Sequence, residues 1–292
     1  LGENALGAAT DGHFNIAIGE SALAVSDGDG DYNVAIGKSA LGGADVSGCH
    51  NIAVGVSVAD AITTGSCNIA MGISALGSAT NNNDNIAIGV SALFASVNDG
   101  NCNIAIGRSA LGGADVSGDD NIALGRTSMD ALTSGACNIA LGLNALGAST
   151  DGNDNIAIGE SALAVSDGSG NQNIAIGKTA MGGADVSGGI NVAISSNALD
   201  ALTTGTYNVA IGNNALGAAT DNHCNIAIGV SALAASDGDG DNNVAIGTSA
   251  LGGADVSGAS NIAIGSNAAD AMTSGGYNIA MGVNALGEGQ TG

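Results

Sequence analysis

Residues 15–23 read Asn-Ile-Ala-Ile-Gly-Glu-Ser-Ala-Leu, and close variants of this stretch return along the whole chain. Its first five residues (Asn, Ile or Val, Ala, an aliphatic residue, Gly) occur sixteen times, with Ser195 replacing the Gly once. The interval from one repeat Asn to the next cycles through 18, 18, 17 and 17, so a four-coil super-repeat begins again at Asn15, Asn85, Asn155 and Asn225. A short fixed period is typical of proteins in which each repeat is one coil stacked on the next.

The five-residue motif has the pattern of a short β-strand. When each coil is numbered from its Asn as position 0, positions 1 and 3 are aliphatic, position 2 is Ala and position 4 is Gly. Strands that recur at this interval can stack in parallel at ~4.8 Å per coil, whereas a βαβ unit needs about 30 residues. The sequence therefore predicts an all-β protein, a parallel β-solenoid (β-roll) of about 16 coils with a four-coil super-repeat.

The composition gives no sign of a domain boundary. Fifty glycines and the absence of proline are spread along the chain without a linker or a change in character. We therefore predict one continuous solenoid over residues 1–292, with a partial first coil at 1–14 and the last coil at 278–292. Because residues 1–7 align with residues 71–77, the chain opens within a coil, and we expect a processed chain or part of a longer one.

Alternation within the strand divides the side chains between two faces, because successive residues point to opposite sides. We predict that positions 1 and 3 face inward as the core, beginning with Ile16, Ile18, Val34, Ile36, Ile52 and Val54. If positions 7 and 8 are also extended, their Ala and Leu rows face opposite ways, and an outer Leu row would mark a contact surface. The candidate interface residues are Leu23, Leu41, Leu76, Leu93, Leu111 and Leu146. A single helical turn at this point would remove that inference.

Asn occupies position 0 in every coil, which invites two interpretations. One is a row of binding groups; the other is structural, because Asn tolerates turn conformations and its amide can bond to the Asn one coil away. We favour the structural ladder. Its first members are Asn15, Asn33, Asn51, Asn68, Asn85, Asn103, Asn121 and Asn138.

The charge is strongly acidic, with 27 Asp and Glu against 4 Lys and Arg and a net charge of −23. This balance argues against nucleic acid and anionic membranes as partners. The sequence also lacks an apolar run of about 18 residues, so we predict no membrane insertion in this segment. At position 5, Glu20 and Lys38 should lie side by side in adjacent coils, as should Glu160 and Lys178.

Two turns carry alternating carboxylates like the first half of a calcium-binding loop, Asp27, Asp29 and Asp31 in one and Asp237, Asp239 and Asp241 in the other. No glutamate follows at the spacing of an EF-hand loop, so solvated turn residues are the competing interpretation. Calcium is thus a candidate ligand, and no other cofactor is indicated.

Catalytic motifs are missing from the sequence. The three His residues fall in unrelated coils, no insertion interrupts the repeat, and the Gly-rich turns match no phosphate-binding pattern. Four of the five Cys residues directly precede a repeat Asn, and Cys49 is offset by one residue. An odd number of Cys leaves at least one thiol free or pairing between chains. We predict that the protein is not an enzyme.

The unit Asn-Ile-Ala-Ile-Gly-x-Ser-Ala-Leu resembles the head repeats of trimeric autotransporter adhesins, whose coils carry Asn-Ser-Val-Ala-Ile-Gly, and it is similar to repeats of some phage tail fibres. The resemblance covers most of the chain but only five or six positions per coil. It implies a left-handed β-roll and a homotrimer exposed at a cell or virion surface. The coils here are longer than in those heads, and they lack the extra residue after Asn.

These features favour an extracellular structural protein, a rod-like subunit of a surface filament or fibre that associates with copies of itself through an apolar solenoid face. The alternative is a binding module, an adhesin head or tail-fibre segment that recognises a cell-surface or glycan ligand. Ice binding is a third hypothesis, although paired Thr or Ser residues such as Thr63 and Thr64 occur only once in four coils.

Overall fold

The computed structural model describes residues 1–26, 29–97, 99–166, 170–236 and 240–287, and these form an all-β, parallel solenoid without helices, as the repeat predicts. The strands are β1 (Ile16–Ile18), β2 (Val34–Ile36), β3 (Ile52–Val54), β4 (Ile69–Met71), β5 (Ile86–Ile88), β6 (Ile104–Ile106), β7 (Ile122–Leu124), β8 (Ile139–Leu141), β9 (Ile156–Ile158), β10 (Ile174–Ile176), β11 (Val192–Ile194), β12 (Val209–Ile211), β13 (Ile226–Ile228), β14 (Val244–Ile246), β15 (Ile262–Ile264) and β16 (Ile279–Met281).

The chain contains two compact units, residues 1–151 with strands β1 to β8 and residues 152–292 with strands β9 to β16. Within each unit every strand pairs in parallel with the strand one coil away, without a shift in register. Ile16, Val34 and Ile52 consequently form one column, which confirms the predicted stacking. The continuity of the solenoid over the whole chain stays a prediction.

The predicted inward and outward faces of the strand are reversed. In all sixteen strands the central Ala is buried, and the residues on either side of it are half-buried or exposed. The prediction of a core at positions 1 and 3 was wrong for Ile16, Ile18, Val34, Ile36, Ile52 and Val54. The interior accepts Ala here because each coil is narrow and its opposite side fills the space with larger side chains, including Leu23, Leu41 and Ile62.

The predicted interface row at position 8 is the true core. Leu23, Leu41, Leu76, Leu93, Leu111 and Leu146 are essentially inaccessible to solvent. The segment after the strand is not extended: in the first coil Ser21 and Leu23 have φ of 57° and 49°. A chain that turns at alternate residues points Ala22 and Leu23 to the same side, so both lie inside. The prediction of an outer Leu row assumed that this segment is extended, and it was wrong because the segment turns.

Glycine at position 4 is required by the close approach of stacked backbones. Gly19 has φ of 134°, and a Cβ at this residue would overlap the carbonyl group of Gly37 in the next coil. Ser195 occupies the same position with φ of 111°, so it holds a backbone conformation that side chains disfavour.

The Asn residues at position 0 form an internal hydrogen-bonded ladder. Asn51 is buried; its backbone N–H donates to Oδ1 of Asn33 at 2.9 Å, and its Nδ2 donates to the same oxygen at 3.1 Å. Nδ2 of Asn51 also donates to the carbonyl of Gly65 at 2.8 Å, across the coil from the strand. The same pattern continues at Asn68, Asn121, Asn191 and Asn208. The structural interpretation of the Asn row is therefore confirmed.

Candidate functional site

The main surface feature of each unit is an apolar sheet face, formed by the side chains at positions 1 and 3 of its eight strands. Ile16 is 50% exposed, Ile52 is 39% exposed and Ile36 is 37% exposed. Every residue at these two positions is Ile, Val, Leu or Met, so two aliphatic columns run side by side along the stack. We call this surface the Ile face.

The Ile face is large for a surface in contact with water. Full burial of an aliphatic side chain is worth about 1.5–3 kcal/mol, which corresponds to roughly 60–120 Å² of apolar surface. If a third of that surface stays exposed on average, the sixteen side chains of one unit leave roughly 300–650 Å² uncovered. This is the size of the largest apolar patch on a typical monomer, and such patches mark sites of interaction.

Position 5 forms one border of the Ile face, and its character changes along the stack. Val56, Ile73 and Val90 are exposed there and widen the face by one apolar column. The same position holds every basic residue of the chain: Lys38, Arg108, Arg126 and Lys178. In a protein with a net charge of −23, this restricts the Lys and Arg residues of each unit to the same edge of its Ile face.

The four basic residues differ in their partners. The Lys38 ammonium lies 3.0 Å from Glu20, and the Lys178 ammonium lies 3.3 Å from Glu160, as the coil alignment predicts. Arg108 and Arg126 occupy adjacent coils, and within the described ranges neither guanidinium forms an ion pair with a carboxylate. Two like charges therefore lie next to each other, both exposed, on the margin of the Ile face.

The opposite border is the column directly before the repeat Asn, position −1, where the residue type varies from coil to coil. At the start of the chain Phe14, Tyr32 and His50 stack, with ring centroids 4.9 and 5.1 Å apart. Phe14 is 73% exposed. The φ angles of these three residues are 58–62°, so the backbone is the same while the side-chain chemistry differs.

Further along, the position −1 column alternates thiols and carboxylates. Cys67, Asp84, Cys102, Asp120 and Cys137 follow one another in successive coils, and all five are exposed. Partial desolvation, and then the charges of nearby carboxylates, Asp120 first, raise the pKa of the Cys102 thiol. This environment disfavours the thiolate, the reactive form of Cys.

All five Cys residues have free thiols. Cys49 and Cys67 lie in adjacent coils without forming a disulfide, consistent with their offset of one residue in the sequence. The backbone N–H of Cys67 instead donates to the carbonyl of Cys49 at 2.9 Å. An exposed, unpaired thiol is open to reaction with other molecules, so pairing between chains stays a prediction.

The candidate calcium turns are only partly described. Asp27, Asp237 and Asp239 lie outside the described residues, and Asp29 is exposed. Asp31 and Asp241 serve the stack, because each accepts a backbone hydrogen bond from the preceding coil, from His13 at 2.6 Å and from His223 at 2.7 Å. In the portion of the chain that is described, no three acidic, His or Cys side chains are placed to hold a metal ion. Calcium binding stays a prediction.

One set of acidic residues was not singled out from the sequence. Asp60, Asp130, Asp200 and Asp270 occur once per super-repeat, and each has a buried Oδ1 atom without a hydrogen-bond partner. Desolvation raises the pKa of Asp130 and of Asp200. The sequence did contain a sign of these buried carboxylates, namely the pair of Gly residues in the preceding coil. The Gly is needed because a Cβ on Gly43 would lie 2.8 Å from the Asp60 carboxylate carbon.

The Asp270 carboxylate lines an open cleft of about 450 Å³, together with Gly253, Ala254, Ala271 and Thr273. The cleft contains one acidic group and no His or Cys, so the residues around it do not form a catalytic arrangement such as a nucleophile beside a base. It is a smaller and more polar feature than the Ile face.

No protein-family model matches this chain, and no curated protein matches its sequence. The described residues form no helix that is long and apolar enough to cross a membrane. The Ile face, its basic border and its variable border are thus the features on which a function can be argued.

Proposed function

We propose that this protein is a structural subunit of an extracellular filament or fibre, and that copies of it associate through the Ile face. The observation that carries this proposal is that positions 1 and 3, half-buried or exposed, are aliphatic in all sixteen coils. At position −1, which is more exposed, the same repeats contain Phe, Tyr, His, Cys, Asp, Gln, Ile, Asn and Ser. A second molecule packed on this surface would bury the part of the aliphatic side chains that the single chain leaves exposed.

A second copy of the chain fits the Ile face in shape as well as in chemistry. Two sheet faces pack about 10 Å apart, and the strands within each face repeat every ~4.8 Å. Identical columns have the same spacing, so side chains of one copy can fit between those of another along the whole contact. A partner without this repeat would match the columns only locally.

The proposed location is extracellular, at a cell or virion surface. It is supported by the resemblance of the repeat to adhesin heads and tail fibres and by the acidic composition, which keeps single molecules apart by repulsion away from the Ile face. Association then depends on apolar contact strong enough to overcome that repulsion. We expect added salt to strengthen the association by screening the net charge.

The test is the oligomeric state of the purified chain over a wide range of concentration. Sedimentation velocity should show assemblies that grow with concentration, and electron microscopy of the same samples should show paired or bundled rods. A chain that stays monomeric at the highest concentration reached, with and without added salt, would refute association through the Ile face.

A second candidate function is a binding module of the adhesin or tail-fibre type. The observation that favours it is the exposed stack of Phe14, Tyr32 and His50, since aromatic edges on a rigid coil are suited to contact with a glycan or protein surface. Binding of the wild-type chain to a glycan array, lost in a Phe14→Ser, Tyr32→Ser variant, would support it. Equal signals from the two proteins would count against this stack as the binding site.

A further inference from the structure

The basic border of the Ile face carries information about how a second copy is oriented. Arg108 follows β6 and Arg126 follows β7, both at position 5. These two strands are neighbours, so the two guanidinium groups repel each other, and among the described residues of their own chain no carboxylate forms an ion pair with them. An arrangement that costs energy in the single chain suggests that the compensating charge belongs to another molecule.

The opposite border is acidic on either side of the level of Arg108. Asp120 directly precedes the Asn that leads into β7, Asp84 holds the same position before β5, and both are exposed. Cys102 lies at the level of Arg108, and the Asp119 carboxylate already accepts a hydrogen bond from the backbone N–H of Asn101 at 2.7 Å. Within the described residues Arg126 forms no ion pair with the aspartates of its own coil, which lie on the other side of the strand β7.

Symmetry decides which border meets which when two Ile faces pack together. A two-fold axis along the stacking direction places position 5 of one copy beside position −1 of the other, at the same level. A two-fold axis across the stack instead places position 5 against position 5, so Arg108 and Arg126 face the border to which they themselves belong. Only the first arrangement brings Arg108 and Arg126 to the acidic border.

We propose that Arg126 of one copy pairs with Asp120 of a second copy at the same level, that Arg108 lies between Asp84 and Asp120 of that copy, and that these contacts fix the two copies parallel and in register. The inference rests on the proposed association through the Ile face and adds the orientation and the residues that select it. Apolar contact between two repetitive columns is almost equally favourable at many offsets, because each coil looks like the next. Charges that occur in only one pair of coils remove that degeneracy.

Position 5 tolerates neutral residues, since Thr248 and Ser266 occupy it in other coils, so the pairing can be tested without disturbing the fold. The double variant Arg108→Thr, Arg126→Thr should weaken self-association about tenfold, as measured by sedimentation equilibrium at low salt. The matched control is Lys38→Thr, Lys178→Thr, which changes the net charge equally but removes lysines that already pair with glutamates of their own chain. It should change the association constant less than twofold.

Charge exchange gives the decisive comparison. The variant Arg108→Asp, Arg126→Asp should associate more weakly than the Thr variant, and adding Asp84→Arg and Asp120→Arg in the same chain should restore association to within about threefold of wild type. Equal association constants for the Thr variant, its control and the wild type would overturn the pairing while leaving the Ile face as the contact. Failure of the wild-type chain to associate would instead refute the proposed function itself.

The relative orientation of the two copies can be tested by cross-linking to a native Cys. Leu143 lies at position 5 after β8, and Cys137 lies at position −1 before the same strand. In a parallel, in-register pair a Leu143→Cys variant should form a disulfide with Cys137 of the other copy under copper-catalysed air oxidation, giving a covalent dimer on a non-reducing gel. The Leu143→Cys, Cys137→Ser variant should not form that dimer. Association without any difference between the two variants would overturn the parallel register.

Discussion

Replacement of two Ile-face residues by Thr tests association through this surface. In Ile36→Thr, Ile52→Thr the branched side chain suited to a strand is kept, while about two apolar carbons per residue are lost. A buried methylene contributes about 0.8 kcal/mol, and the two side chains are 37% and 39% exposed in the free chain. Burial of that exposed part is worth about 0.6 kcal/mol per residue, which gives about 2.5 kcal/mol for the four side chains of a two-fold contact.

A loss of that size corresponds to roughly 60-fold weaker association, since each 1.4 kcal/mol is a factor of ten. By the same bookkeeping, roughly 60% of each side chain is already buried in the free chain, so the free energy of unfolding of the dilute chain should fall by about 2 kcal/mol. Sedimentation equilibrium measures the first quantity, and urea unfolding followed by circular dichroism in dilute solution measures the second.

The matched control lowers the stability of the fold and leaves association unchanged. Leu41 is fully buried, so Leu41→Ala should cost about 2–5 kcal/mol of folding stability through the cavity it creates. In molecules that remain folded, the Ile face is unchanged and association should be close to that of wild type. If the Thr variant associates as strongly as wild type, association through the Ile face is refuted, and a Leu41 variant as stable as wild type would refute the assignment of the inner face.

Three further predictions concern the stack and its titrating groups. Asn103→Ala should lower stability by about 2–4 kcal/mol in a thermal or urea melt, because it leaves buried hydrogen-bonding groups of the next coil without a partner. Asp130→Asn with Asp200→Asn should raise stability near pH 7 and weaken its dependence on pH, measured by urea melts from pH 4 upward. The pKa values of both carboxyls are raised in the folded chain, so the native state binds more protons than the unfolded state and loses stability as pH rises. Asp120→Asn should speed the reaction of Cys102 with a disulfide reagent at neutral pH, because the Asp120 charge helps to raise the pKa of that thiol.

The two predictions about titrating groups have matched controls. The exposed carboxylates Asp84 and Asp154 can be changed to Asn in the same way, and this removes two negative charges without relieving a buried group. If the pH dependence flattens equally in both double variants, general charge repulsion rather than desolvation is its cause. The thiol experiment is compared with Cys224, whose reaction rate should not respond to Asp120→Asn.

The period of the sequence was enough to predict the architecture. A motif that returns at so short and regular an interval leaves little choice besides stacked parallel strands, and the Glu20–Lys38 and Glu160–Lys178 contacts confirm the alignment of adjacent coils. The Asn ladder was also predictable, because a polar residue beside a strand in every coil needs a partner that repeats with it. These features depend only on spacing and residue type.

The orientation of the strand could not be predicted from alternation, because a period of two is the same whichever face is buried. We assumed that the larger aliphatic residues lie inside, which is the rule for a sheet with one solvated face. In a narrow coil the opposite wall supplies the larger side chains, and Ala35 fits between them where Ile would not. The turn after the strand could not be predicted either. It depends on φ angles near 50° at Ser39 and Leu41, which non-glycine residues seldom adopt and of which the sequence gives no direct sign.

The residues that hold the stack together are different from those that would join one copy to another. Cohesion between coils depends on buried groups: the Asn ladder, the central Ala column and the Leu row. Contact between copies would depend on the outer part of the Ile face and on the charged residues on its borders. Because the Ile side chains are half-buried, changes to them affect folding as well as assembly, whereas the exposed charges on the borders affect assembly alone. If Ile-face variants that remain folded associated as strongly as wild type, the aliphatic columns would serve only the fold, and the case for assembly through them would fail.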